Sequence, residues 1–593
     1  MAFDTETTGD FSNMFERRVV MLQLGDQNTQ FIVDVRQKDP TKLLQELSNK
    51  TLIGHNIKYD YQVIKTNYNI TLENLFDTML ASQVIECGMD QEEKKGWFSL
   101  EGVANRYLNQ TYYSKQGNLF APTITKQIRE SFKDIGQKQF SREQLYYGAL
   151  DVCVAFLLWK RFIPLIEESE LSPVMELENE FLKVLGDMEL NGVWLNQQQW
   201  LTNYRRTLNE SEKKKQQLLA VHNINWDSYK QVLPVMKELG VDVSVIDKKT
   251  GEIKESVANA VLSKQLFKSP LLKLYLDYKL SSKESSTYGE KFLRHVNPTT
   301  QRVHSSFMQI MRTGRTSSTN PNIQNIKRGA IYRSAFQAEE GNSIVAFDFS
   351  NIEARVLADK CGDENFINIF LNNGDYHLET AKLAFDNPNL TKGDEERQLA
   401  KTINFAIAFG AGAKKISEGA GVSLMKGKEL LNKVFTAFPA LKPYFEEQGK
   451  LAKARGYFLC NDISKRRSYI PFYKDYLAAK AHVQYFKARG WDPNPIIERA
   501  YQTWDSKIQR WSQNIPVQAT AADIAKKTGV KLRRYAKKLD FKIILFVHDE
   551  YVTECHHTRA RTVAALLSQV GEETAKSFLK ILSVPAEAQI SSA

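Results

Sequence analysis

The chain has 593 residues, too many for one hydrophobic core, so roughly three to four domains are expected. Its 42% hydrophobic and 11% aromatic content excludes a disordered chain, and its formal net charge of +11 favours an anionic partner. Five scattered cysteines without a CxxC pair give no zinc ribbon and fit a reducing compartment, while no apolar run approaches the ~20 residues of a bilayer span.

Asp4 and Glu6 fall where the apolar core of a signal peptide would begin, so a cytoplasmic location without membrane contact is expected. Residues 1–35 read as three strands, AFDTE, VVMLQL and FIVDV, separated by polar turns, and helical patterns follow to about 165. A polar, Pro-closed break at EESELSP (167–173) marks a first boundary, and 174–296 is helix-rich and Lys-rich. RVHSSFMQI (302–310) reads as a strand, followed by a loop of Gly, Ser, Thr and Asn through 325. IVAFDFS (344–350) is a buried strand, 355–500 is mostly helical, and KIILFVHDEYVTE (542–554) is strand–turn–strand. The mixture is α/β with segregated helical blocks.

Two sets of acids stand out. In FDTETTG, Asp4 and Glu6 lie two apart on a strand and point to the same face. Asn56 and Asp60 follow in GHNIKYD, and YGALD places Tyr147 and Asp151 on one helix face. Unpaired carboxylates gathered there would repel: two unit charges 4 Å apart cost about 4 kcal/mol even at an effective dielectric of 20. Divalent metals remove that cost and activate water for attack on phosphorus. The second set is Asp348, ending an apolar strand in DFSNIEAR, and Asp549, in the turn VHDE. Only a folded sheet brings them together, where they could grip two metal ions at a phosphoryl transfer.

Between these acids, RQLAKTINFAIAFG spaces Arg397, Lys401 and Phe405 four residues apart on one helix face. Two cations and a flat ring suit a triphosphate and its sugar. Taken alone, an amphipathic helix with solvated basic residues is the plainer reading; the flanking acids reverse it.

In these motifs the chain resembles the family A DNA polymerases, the bacterial polymerase I and phage replicative group, from FDTETTG through VHDE. The resemblance implies an α/β multidomain fold, with an RNase H-like 3′→5′ exonuclease domain followed by a right-hand polymerase of thumb, palm and fingers. The expected boundaries are 1–165 for the exonuclease domain, 166–200 for a connecting segment, 201–296 for the thumb, and 297–356 for the first part of the palm. The fingers would be 357–504, with an extended insertion near 470–505, and the rest of the palm 505–593.

The resemblance makes Asp4, Glu6, Asp60 and Asp151 ligands of two divalent metals at the exonuclease site, with Tyr147 orienting the attacking water. Asp348 and Asp549 would hold two Mg²⁺ or Mn²⁺ ions at the polymerase site, with Glu550 in support. Arg397, Lys401 and His377 would contact the triphosphate of a dNTP, Phe405 its sugar, and Glu353 would block a 2′-hydroxyl. Primer–template DNA would meet Arg315, Asn322 and Gln324 in TGRTSSTNPNIQNI, Arg510, Asn514 and Gln518 in RWSQNIPVQATAAD, and His548. Arg, Asn and Gln suit this role because they donate to minor-groove acceptors that every base pair presents. Lys279, Lys283 and Lys291 would face duplex phosphates or simply be solvated. A replisome or processivity factor is the further expected partner, and a phage or plasmid the expected setting.

The chain departs from the family pattern in places. Ala406 and Phe409 replace a usual Gly and Tyr, so sugar discrimination should be somewhat weaker, since Phe409 cannot hydrogen-bond Glu353. Ala519 and Phe546 replace a Gly and a Gln. The stretch from Arg466 to Asn514 is longer than the bacterial pattern, and its basic, aromatic YKDYLAAKAHVQYFKARGWDPNP reads as a loop that binds template, binds an accessory protein, or is solvated. Met1 stands three residues before Asp4, so the exonuclease core is expected to be marginal, or partly missing or encoded elsewhere. A single-subunit RNA polymerase shares the palm aspartates, but the N-terminal acids and Glu353 argue against it. A silent nucleic-acid-binding protein would have lost Asp348 or Asp549, and a pure exonuclease leaves both unexplained.

Overall fold

A computed structural model describes every residue except 11–12, 90–95, 109–121, 247–251, 327–329, 409, 411 and 593. The chain forms two compact units, one of Met1–Asn191, Ser306–Thr319 and Glu340–Ala593, the other of Gly192–Ser305 and Asn320–Glu339.

The first unit opens with a five-stranded sheet: β1 (Ala2–Thr8), β2 (Arg18–Gly25), β3 (Gln30–Asp34), β4 (Thr51–Gly54) and β5 (Asn74–Asp77), in the order β3-β2-β1-β4-β5. β1 pairs antiparallel with β2 along its whole length, whereas β4 and β5 run parallel to it. The helical reading of this stretch missed β4 and β5. Each is four residues, TLIG and NLFD, and runs that short carry no period that separates strand from helix.

Four helices matter for the site here: α1 (Lys58–Tyr68), α2 (Pro122–Ser131), α3 (Arg142–Glu168) and α4 (Ser172–Asn191). A reciprocal capping box of Ser141 and Gln144 starts α3, which then packs across β1 to β4. Alternation along β1 puts Ala2, Asp4 and Glu6 on one face. Ala2 packs on Val152 and Ala155 of α3, so the two acids face that helix. Phe3, Leu22, Leu52, Ile53, Leu158 and Phe162 belong to one hydrophobic core of sheet and helix residues.

The same unit holds the helices α5 (Tyr376–Phe385), α6 (Glu395–Ala408), α7 (Tyr473–Lys487) and α8 (Pro495–Leu539). Its second sheet contains β6 (Asn342–Phe349), β7 (Phe541–Val547), β8 (Glu550–His556) and β9 (Ala586–Ser592), all antiparallel in the order β7-β8-β6-β9. The stretch read as an inserted loop is instead a helical hairpin. Tyr476, Ala479 and Val483, at helical spacing, are buried on α7, which packs against α8. The Tyr476 hydroxyl bonds Asp505 at 3.0 Å and Lys487 pairs with Glu498 at 2.7 Å, pinning the two arms.

A buried ion network ties α4 to α8. Glu178 accepts from Lys526 at 2.6 Å, from Gln309 at 2.6 Å and from Arg466, whose guanidinium also reaches Asp523 at 2.6 Å. All four charged side chains are at most 2% exposed. Two acids thus balance two bases away from water, a stable arrangement only while complete. Glu178→Ala strands two buried cations on one carboxylate and is expected to cost about 3–5 kcal/mol. Urea unfolding measures it, and a loss under about 1 kcal/mol would show that the network contributes little.

The second unit pairs Val193–Trp194 with Arg302–Val303 and packs the helices Gln197–Val221 and Pro270–Thr287 around Leu218, Trp226, Leu272 and Tyr275. The expected strand 302–310 is therefore two strands. Arg302–Val303 belongs here, whereas Ser306–Met308 pairs with Ser317–Thr319 in the first unit. The polar His304–Ser305 step separates them.

Candidate active sites

The first site lies where β1, α1 and α3 converge. Ligand atoms of Asp4, Glu6 and Asp151 all lie within 4.8 Å of one another, and Asp60 joins them in one cavity of about 380 Å³. The Thr5 hydroxyl donates to Asp60 at 2.6 Å. Tyr147 lines the same cavity and hydrogen-bonds Asp151.

The four acids cannot all be charged there. Burial pushes Asp4 up to about 7. Burial and then the charges of Asp4 and Asp151 hold Glu6 well above its ordinary value; burial and then Asp4 do the same for Asp60 and Asp151. Hard oxygen donors, crowded and short of countercharge, are a set that divalent cations fit.

Several residues that build this pocket carried no sequence signal. Asp77 ends β5 and accepts backbone N–H bonds from Asn56 and Ile57 at 3.0 Å, and from Met79 and Leu80. One carboxylate thus holds the GHN loop in place and caps the next helix, so that α1 presents Asp60. His55, whose ring nitrogens bond Thr78 and the Phe98 carbonyl, lines the cavity with Glu101 and Arg129. Asp77, Glu101 and Arg129 come from separate elements, and no local spacing links them.

The second site lies at one end of the four-stranded sheet. Asp348, on β6, is the direct cross-strand partner of Glu550 on β8. Val547 pairs with Glu550, so His548 and Asp549 form the two-residue turn between β7 and β8, with His548 at φ 58°. The far-apart acids of DFSNIEAR and VHDE therefore stand side by side. Glu353 is near enough to Asp549 to feel its charge, and it is ion-paired with Arg315. Burial raises the Glu353 carboxyl, and the Arg315 guanidinium opposes that shift.

On α6, Arg397 pairs with Asp375 at 2.6 Å, and Asp375 also caps α5. Lys401 is exposed one turn on. The Asn404 side-chain amide hydrogen-bonds Nδ1 of His377 at 3.1 Å. Burial pushes His377 down to about 4, so the ring is neutral near pH 7. The backbone of α6 includes Phe405, whose side chain lies outside the described residues, as does Phe409 altogether. Beyond α6, Gly410 has φ 66°, and a Cβ there would sit 2.6 Å from the Arg510 carbonyl of α8. Only glycine fits that approach.

Of the expected DNA contacts, Arg510 is exposed on α8, Asn514 lies one turn on, and Gln518 is buried. Asn322 and a buried Gln324 belong to the second unit, as do exposed Lys283 and Lys291, and Lys279, which pairs with Asp227 at 3.4 Å. No helix among the described residues is long and apolar enough to cross a membrane.

Residues 196–593 match the family model for DNA polymerase family A. The chain belongs to the family A DNA polymerases. Residues 1–167 of this family A polymerase also match the model of a 3′-5′ exonuclease domain. DNA polymerase I of Aquifex aeolicus is 27% identical across 99% of the chain and 94% of that protein. The thermostable DNA polymerases I of Thermus filiformis and Thermus aquaticus are each 33% identical, over 73% and 68% of the chain and 49% and 46% of their own lengths. The chain thus spans about half the length of these Thermus relatives. The fold matches the POL domain of Pol1 from M. smegmatis, solved with DNA primer-template and dNTP, at a TM-score of 0.80 and 21% identity, covering 100% of this chain and 95% of that one.

Proposed function

We propose that this family A polymerase is a template-directed enzyme that adds deoxynucleotides to a primer 3′ end by two-metal phosphoryl transfer, and that its N-terminal pocket proofreads by 3′→5′ hydrolysis. The observation that carries the reading is the β6–β8 register, with Asp348 opposite Glu550 and beside the Asp549 turn. The phage or plasmid setting rests on resemblance to the phage group alone.

The ligands held by the M. smegmatis neighbour, primer-template and dNTP, are carried to this chain as a proposal. Asp348 and Asp549 hold the metals, which when bound would polarise the phosphoryl oxygens and offset charge on the attacking and leaving oxygens. Lys401 and Arg397 take the triphosphate, Arg397 by exchanging the single Asp375 oxygen that it now holds for phosphate oxygens. His377, neutral near pH 7, meets the same group through its ring. Glu353, held by Arg315, closes the space a 2′-hydroxyl would need. Arg510, Asn514, Gln518, Asn322 and Gln324 contact the primer–template without reading its sequence.

Primer extension with matched and mismatched 3′ ends, run with dNTPs and then NTPs, tests the reading. Extension with dNTPs and removal of the mismatch are expected; extension with NTPs alone would favour the RNA polymerase alternative. Phe405→Tyr is expected to raise dideoxynucleotide use relative to dNTP in competition assays. Unchanged selectivity would remove Phe405 from the sugar contact.

A further inference from the structure

The exonuclease pocket contains one Arg or Lys side chain among its described lining residues, Arg129 of α2. It comes from an element that the acid motifs do not include. Its guanidinium hydrogen-bonds the Tyr147 hydroxyl, which in turn bonds Asp151, and its Nη2 stands 4.0 Å from Glu101. The side chain is 59% exposed, so it is not part of the packed core. An arginine that only neutralised an acid would engage it at 2.7–2.9 Å in a paired fork. Arg129 instead reaches into the field of several acids from the pocket mouth, with Tyr147 holding one edge.

We infer that Arg129 is a substrate ligand of this pocket, its guanidinium taking a non-bridging oxygen of the scissile phosphodiester. The inference rests on the carboxylate cavity being the exonuclease centre and adds a residue to it. Hydrolysis there forms a P–O bond from water, breaks the P–O3′ bond, releases a nucleoside 5′-monophosphate and leaves the water's proton on the 3′ oxygen. Four carboxylates are balanced by two divalent ions, but the phosphodiester brings one negative charge and the attack adds another. Arg129 supplies positive charge where that excess develops, which is where an electrostatic contact speeds the reaction. Once metals cancel the four acids, the long 4.0 Å approach to Glu101 is the acid contact left to Arg129, and a phosphate fits its planar fork more closely.

The test measures hydrolysis of a single-stranded oligonucleotide by the full chain carrying Arg129→Ala, Arg129→Gln or Arg129→Lys. Mn²⁺ binding without DNA is titrated by calorimetry alongside. The Ala and Gln variants are expected to lose about 10²-fold in kcat/KM, while Lys keeps more activity than Gln and Mn²⁺ affinity does not fall. Loss of less than twofold in Ala and Gln overturns the inference. So does a loss matched by an equal fall in Mn²⁺ affinity, which would make Arg129 an organiser of the carboxylates, or a Lys variant no better than Gln. Asp4→Asn with Glu6→Gln is run beside them. If that pair still degrades DNA, the pocket itself is misassigned; if only the Arg129 variants stay active, the pocket stands and this contact does not.

Discussion

Asp549→Asn is expected to lower primer extension by about 10³-fold or more while leaving removal of a mismatched 3′ end within twofold of the parent. The substitution keeps the shape of the turn. His548 and Asp549 bridge Val547 and Glu550, and the positive φ falls on His548, so the backbone of the turn admits Asn at 549. What changes is charge: an amide oxygen is a weaker ligand, and the proposed metal-holding pair would fall from two carboxylates to one. Asp348→Asn should behave alike, because Asp348 opposes Glu550 in the same sheet. The double variant should be little worse than either single one, as groups that act as a unit are not additive. Extension within tenfold of the parent in Asp549→Asn would mean that the palm assignment is wrong.

Much of both sites was legible because their acids sit in short, regular pieces of chain. A strand fixes Asp4 and Glu6 on one face, a helix turn fixes Tyr147 and Asp151, and the stripe of Arg397 and Lys401 needs only helical spacing. The failures share another cause. β4 and β5 are too short for periodicity, and their identity as strands comes from pairing beside β1. The helical hairpin looked like a loop because its polar and aromatic residues mix. Its helicity is explained by Tyr476, Ala479 and Val483 burying against α8, a contact absent from local propensity. Partners of the functional side chains were equally hidden. The Arg315–Glu353 and Arg397–Asp375 pairs, the Asp77 anchor and Arg129 each join elements far apart in sequence. A motif names which residues carry charge; packing decides what faces them before substrate arrives.

Asp4→Asn with Glu6→Gln is expected to lower exonuclease activity by about 10³-fold or more, with primer extension retained, and to make the metal-free protein more stable near pH 8. The second effect follows from the first site's electrostatics. Each acid binds its proton more tightly when folded than when unfolded, as burial and mutual repulsion lift Asp4 to about 7 from an ordinary 3.8, and Glu6, Asp60 and Asp151 rise too. Their contribution to stability is therefore full below the ordinary carboxylate range and is lost as pH rises through the folded values. Without metal, the parent's thermal midpoint should climb as pH is lowered from 8 towards 6, and the doubly neutral variant should climb less. Mg²⁺ or Mn²⁺ reverses the cost in the parent, because an ion that binds N but not U adds stability that grows with the logarithm of its concentration above Kd. The parent should thus gain a metal-dependent rise in midpoint at pH 8 that the variant lacks, and the ions should bind with proton release. Equal metal-induced shifts in both proteins would show that Asp4 and Glu6 are not ligands. A buried cluster that costs stability when empty holds its geometry only because packing of α3 on β1 enforces it, so the same strain that destabilises the metal-free fold keeps the ligand oxygens within 4.8 Å for the ions they fit.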